Sequence, residues 1–90
     1  MMSTRRFIVR GRVQGVGYRY FAQRAAEEIG ITGHVRNLDD GRVEAFAMGT
    51  PEQLDQFCAR LWQGPRWADV RGVDVEEAGP FRCKGFRVAP

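Results

Sequence analysis

Gly11-Arg12-Val13-Gln14-Gly15-Val16-Gly17-Tyr18-Arg19 is the stretch on which the fold turns, because an apolar strand runs there into a glycine-rich loop that opens a helix. Upstream, Phe7, Val9 and Val13 lie an even number of positions apart, with Arg6, Arg10 and Arg12 between them. That alternation predicts a strand with one buried and one wet face. Downstream, Tyr18, Phe21, Ala22, Ala25 and Ile29 recur at helical spacing and predict a helix that ends at Gly30.

The loop between them has the makings of an anion cradle. Gly15 and Gly17 can take backbone angles closed to other residues, so that successive N–H groups turn toward one point shared by the first amides of the helix. No Ser, Thr, Asp or Asn stands where it would cap that helix, and Arg19 in its first turn has the wrong sign for the helix dipole. Unfilled donors beside a misplaced cation suggest a missing anion. Glycine-rich strand-to-helix turns also arise for packing reasons, so both readings stand at this point. Nucleotide signatures do not fit: the third glycine of a dinucleotide loop would fall on Tyr20, and no Gly-Lys-Ser/Thr follows.

Further along, Gly30-Ile31-Thr32-Gly33 reads as a turn and His34 to Leu38 as a second strand, with Val35 and Arg36 on opposite faces. Leu38-Asp39-Asp40-Gly41-Arg42 is a hairpin connection built on Asp-Gly. A third strand, with Val43, Ala45 and Ala47 alternating with Glu44, Phe46 and Met48, should be central, since few polar residues interrupt it. Thr50-Pro51-Glu52-Gln53 starts a second helix, with Thr50 as N-cap and Gln53 placed for a capping box. Leu54, Phe57, Cys58, Leu61 and Trp62 form its buried stripe, and Gly64-Pro65 ends it. Val70, Val73 and Val75 suggest a fourth strand with a bulge near Gly72, and Phe86 and Val88 a short last strand. The order strand, helix, strand, strand, helix, strand is the ferredoxin-like α+β arrangement, an antiparallel sheet with two helices on one face, here with an extra C-terminal strand.

Ninety residues make one domain, residues 1–90, with a single core. Hydrophobic residues at 43% and charged residues at 28% are ordinary for a globular protein and argue against disorder. The net charge of +3 comes from 13 arginines and one lysine against 11 acids, scattered along the whole chain, which reads as a solvated surface rather than a binding stripe. Cys58 and Cys83 permit at most one disulfide and supply no metal-ligand pair at short spacing, so both read as reduced packing residues. No apolar run is long enough to be a signal core or a membrane span. A cytoplasmic location, no cofactor and no metal are expected, and no membrane or nucleic-acid partner.

The run Gly11 to Arg19, followed by Gly33-His34-Val35-Arg36-Asn37 and then Asp40-Gly41, closely resembles the two signature segments of the acylphosphatase family, and the order of elements matches over nearly the whole chain. Members usually carry Trp where this chain has His34. The resemblance implies hydrolysis of the carboxyl–phosphate bond of acyl phosphates by a monomer without metal. It implies catalytic roles for Arg19 and Asn37, and phosphate contacts from Gln14, Gly15, Val16, Gly17, Tyr18 and Arg19, with inorganic phosphate or sulfate as product-like ligands. Those residue types suit the task. Amides would hold the phosphoryl oxygens, a guanidinium would grip two of them at once, and a neutral carboxamide could orient water without repelling the phosphate.

His34 is the sole histidine and has no evident Ser or Cys partner, so a nucleophilic triad is a poor reading. Tyr18, Tyr20, Trp62 and Trp67 are expected as core or partly exposed aromatics. The rival from another class is an RNA-binding module, because RNA-recognition domains share this order of elements. Their Lys/Arg-Gly-aromatic run belongs on the third strand, which here reads Arg42-Val43-Glu44-Ala45-Phe46. A non-catalytic acylphosphatase-like module is the third reading.

Overall fold

The computed structural model describes residues 1–90. Its elements follow in the order β1 (Ser3–Arg12), α1 (Tyr18–Ile29), β2 (Thr32–Asn37), β3 (Val43–Gly49), α2 (Pro51–Gln63), β4 (Asp69–Glu77) and β5 (Phe86–Val88). The strands form one sheet in the order β4-β1-β3-β2-β5, so β3 is central, as its unbroken apolar face predicts. Neighbours among β4, β1, β3 and β2 are antiparallel, whereas β5 runs parallel to β2 and forms one edge.

Alternation decides which side chains reach the core. Phe7 and Val9 of β1, Val35 of β2 and Val43, Ala45 and Ala47 of β3 are buried with Ala22, Ala25 and Ala26 of α1 and Leu54, Phe57 and Leu61 of α2 in a single cluster. Alanines along α1 let its backbone lie close to the sheet. Phe57 meets Phe7 edge-on at 5.4 Å and Phe86 at 5.7 Å, which links α2 to strands on both sides of the sheet.

Two expectations shift and one holds. The second strand starts at Thr32, because Gly33, read as a turn residue, lies in the ladder: a Cβ there would run into the Phe46 carbonyl oxygen. Trp62, placed in the stripe of α2, is 49% exposed, and Trp67 and Tyr20 are also exposed; α2 needs only Leu54, Phe57 and Leu61 to seal its face. The bulge foreseen in the fourth strand is present: Arg10 pairs with Gly72 but Gly11 with Val70, which leaves Arg71 extra.

On the face away from the helices, Glu44 is 2% exposed. It accepts from Arg36 Nε at 2.6 Å and from Arg6 at 2.7 Å, and Arg6 also reaches Glu76 at 2.7 Å. Burial pushes the Glu44 carboxyl up, but the hydrogen bonds from Arg36 and Arg6 outweigh it and hold the pKa below the usual range. A depressed folded-state pKa contributes stability that is present above the unfolded value and lost as pH falls through the folded one. Thermal stability should therefore drop on acidification below about pH 4.3. Glu44→Gln should melt earlier at pH 7, by about 1–3 kcal/mol, and show less of that acid dependence in calorimetry.

Candidate active site

Val16 is the pivot of the loop between β1 and α1, since its side chain packs against the core while the glycines on either side face outward. Gly15 (φ 74°) and Gly17 (φ 77°) both take the left-handed conformation. A Cβ at either would meet nothing within 4 Å, so glycine is required by the backbone angles rather than by crowding. Gly17 is also the N-cap of α1, with no side chain bonded to the helix end and no acid in the first turn.

The main-chain amides show what the loop leaves available. From Gln14 to Tyr20, no N–H donates to a carbonyl or side chain of the protein; the first that does is Phe21, to the Gly17 carbonyl at 3.0 Å. In α2 the corresponding end is closed by a capping box, with Thr50 accepting from the Gln53 amide and the Gln53 side chain accepting from the Thr50 amide. One helix end is satisfied internally and the other is open. The open one faces a cleft of about 340 Å³ lined by Val13, Gly15, Gly17, Tyr18, Arg19, Tyr20, Gln23, Asn37 and Val88.

Arg19 and Asn37, 18 positions apart in sequence, thus line the same cleft, and no carboxylate lines it with them. Arg19 has no acidic partner. Its Nη1 donates to the Ala89 carbonyl oxygen at 2.7 Å, and Ala89 is itself fixed by its amide donating to the Val35 carbonyl at 2.8 Å. One side of the guanidinium is therefore aimed while the rest of the fork stays open to the cleft. Asn37 closes β2 opposite Val43, and its carboxamide bonds to no other residue.

Of the other expected contacts, Gly15, Gly17 and Tyr18 line the cleft. Tyr18 is 2% exposed and its hydroxyl donates to the Leu61 carbonyl at 2.6 Å, with its pKa pushed up by burial, so the ring belongs to the core. The Gln14 carboxamide donates to the carbonyls of Leu38 at 2.8 Å and Arg42 at 3.0 Å, and neither Gln14 nor Val16, both expected at the phosphate, is among the residues that line the cleft. His34 does not line the cleft; it stacks on Phe46 at 5.2 Å and meets Phe81 at 5.7 Å on the opposite sheet face. Sequence reasoning missed Ala89, Val88, Gln23, Tyr20 and Val13 at the site. The first two reach it only through the parallel pairing of β5 with β2, for which the sequence holds no local signal.

Known proteins resemble this chain over most of its length. The family model for Acylphosphatase matches residues 5–88. An acylphosphatase of Solibacter usitatus is 57% identical over 86 residues, covering 96% of this chain and 90% of that protein. One of Thermus thermophilus is 55% identical over 81 residues, covering 90% and 92%. The crystal structure of acylphosphatase from Bacillus subtilis superposes with a TM-score of 0.93 at 37% identity, each chain covered completely. With likeness of this order over nearly the whole chain, and the loop of the first signature segment meeting Asn37 of the second at one cleft, the chain belongs to the acylphosphatase family of hydrolases.

Proposed function

We propose that the chain hydrolyses the carboxyl–phosphate bond of small acyl phosphates, with the phosphoryl group held by the loop Gln14 to Arg19 and water directed by Asn37. The single observation that carries this reading is the run of main-chain N–H groups from Gln14 to Tyr20 with no acceptor in the protein, beside an arginine without an acid.

The phosphoryl group spreads negative charge over its oxygens, so a site that supplies fixed donors already in place stabilises the transition state at little reorganisation cost. The amides and the Arg19 fork are such donors. Water bound through the Asn37 carboxamide forms the new bond to phosphorus. The bond from phosphorus to the acyl oxygen breaks, and the carboxylate leaves with the electron pair. The water proton passes to the phosphate product or to solvent. A carboxylate is a good leaving group, so orienting the water suffices and no strong base is needed. Asn37, being neutral, adds no repulsion to the bound dianion.

We infer further that the protein acts as a monomer in the cytoplasm. Supporting this, Cys58 and Cys83 are both free thiols, and no helix is long and apolar enough to cross a membrane. The test is incubation of the purified protein with benzoyl phosphate and excess chelator, following loss of the acyl phosphate. Release of benzoate and inorganic phosphate at an undiminished rate is expected. No hydrolysis, paired with a salt-sensitive gel shift of single-stranded RNA, would favour the RNA-binding alternative instead.

A further inference from the structure

Gln14 reaches, with both donors of its carboxamide, across to the turn that follows Asn37. Its Nε2 lies 2.8 Å from the Leu38 carbonyl oxygen and 3.0 Å from that of Arg42. These two carbonyls mark the neck of the β2–β3 turn. The Leu38 amide donates to the Arg42 carbonyl at 2.8 Å, and the Gly41 amide donates to the Leu38 carbonyl at 3.2 Å. Each carbonyl therefore has a main-chain partner of its own, and the turn can form without Gln14. What the carboxamide adds is a tie between that turn and the loop beginning at Gly15. No other side chain hydrogen-bonds between the two segments. Leu38 is the residue after Asn37, so the tie sets how far the Asn37 carboxamide stands from the open amides.

We propose that Gln14 is a positioning residue, fixing the separation between the amide cradle and Asn37 and acting on turnover through Asn37. This rests on the reading of Asn37 as the group that orients water. The residue type follows from the geometry: two carbonyl oxygens need two donors, which a primary amide supplies. A carboxylate would set acceptor against acceptor, and an apolar side chain would leave the two segments unjoined. Small errors in the placement of a water-orienting group weigh heavily on turnover, while phosphate affinity depends on the loop and Arg19 alone.

The test is a double-mutant cycle of Gln14→Met and Asn37→Ala, with kcat measured on benzoyl phosphate and phosphate used as competitive inhibitor. Gln14→Met should lower kcat by about 10-fold or more with the phosphate inhibition constant within about 2-fold of wild type. In the Asn37→Ala background it should cost less than about a further 2-fold, since the group it positions is gone. Gln14→Glu supplies a second readout. As pH falls and the acid form regains one donor, its kcat relative to wild type should climb.

Equal losses from Gln14→Met in the two backgrounds would overturn the proposal, because the effect would then not pass through Asn37. So would an inhibition constant that weakens in step with kcat, which would tie the Gln14 carboxamide to phosphate binding rather than to the placement of Asn37. Should Gln14→Met not fold, a flat pH ratio for Gln14→Glu would have the same force. If Asn37→Ala alone keeps wild-type turnover, the reading of Asn37 fails first, and that failure is visible in the single variant.

Discussion

Arg19→Ala is expected to remove phosphate binding and turnover together, lowering kcat/KM for an acyl phosphate by about 10³-fold or more. The guanidinium faces a cleft without a carboxylate, so its charge is unopposed where the phosphoryl oxygens would lie. Its one protein bond, to the Ala89 carbonyl at 2.7 Å, aims it and leaves other N–H donors free. The fold should tolerate the change. Loss of that bond costs about 0.5–1.5 kcal/mol, partly offset because a cation no longer sits at the positive end of α1. Arg19→Lys should recover little, since a point charge cannot reproduce a fork that grips two oxygens. Isothermal titration with phosphate and steady-state assays on the same preparations check this. Phosphate binding at wild-type strength in Arg19→Ala would contradict it.

Asn37→Ala should behave differently, with turnover down about 10²-fold and phosphate affinity nearly intact. The asymmetry arises because Asn37 lines the cleft from β2, while the unoccupied amides belong to the loop and to α1. A group that directs water contributes when the bond forms, not when the product-like anion binds. Asn37→Asp, equal in size, should lose both turnover and phosphate affinity at neutral pH, because its carboxylate would oppose the dianion. If the alanine variant keeps full turnover on benzoyl phosphate, water is not oriented by Asn37.

Much of this site could be read in the sequence because its main devices are local. Gly15 and Gly17 set the loop, the missing cap of α1 is visible against the Thr50–Gln53 box of α2, and Asn37 stands just before an Asp-Gly turn. What stayed hidden depends on contacts distant along the chain. Ala89 meets Arg19 across 70 positions, and Gln14 meets Leu38 and Arg42 across 24 and 28. Which side chain reaches which carbonyl is decided by sheet order, and the parallel placement of β5 beside β2 leaves no periodic mark. Helical spacing likewise put Trp62 in the buried stripe, but it is 49% exposed while its neighbour Leu61 is fully buried.

The open sheet face also bears on the RNA-binding alternative. Where an RNA-recognition fold stacks bases on its central strands, this chain buries the Glu44 carboxylate between Arg6 and Arg36, and His34, Phe46 and Phe81 pack on one another. Arg6 and Arg36 are already engaged by Glu44, and the three aromatics by one another.

The most direct measurement is a phosphate titration followed by the amide resonances of the labelled protein. If the loop is a cradle for a tetrahedral oxyanion, the signals of Gly15 to Arg19 should move together and saturate with a single constant, while the Gln53 amide, already bonded to Thr50, stays still. Shifts confined to Arg82, Lys84 and Arg87, which line a second cleft beside β5, with the loop unmoved, would contradict the account.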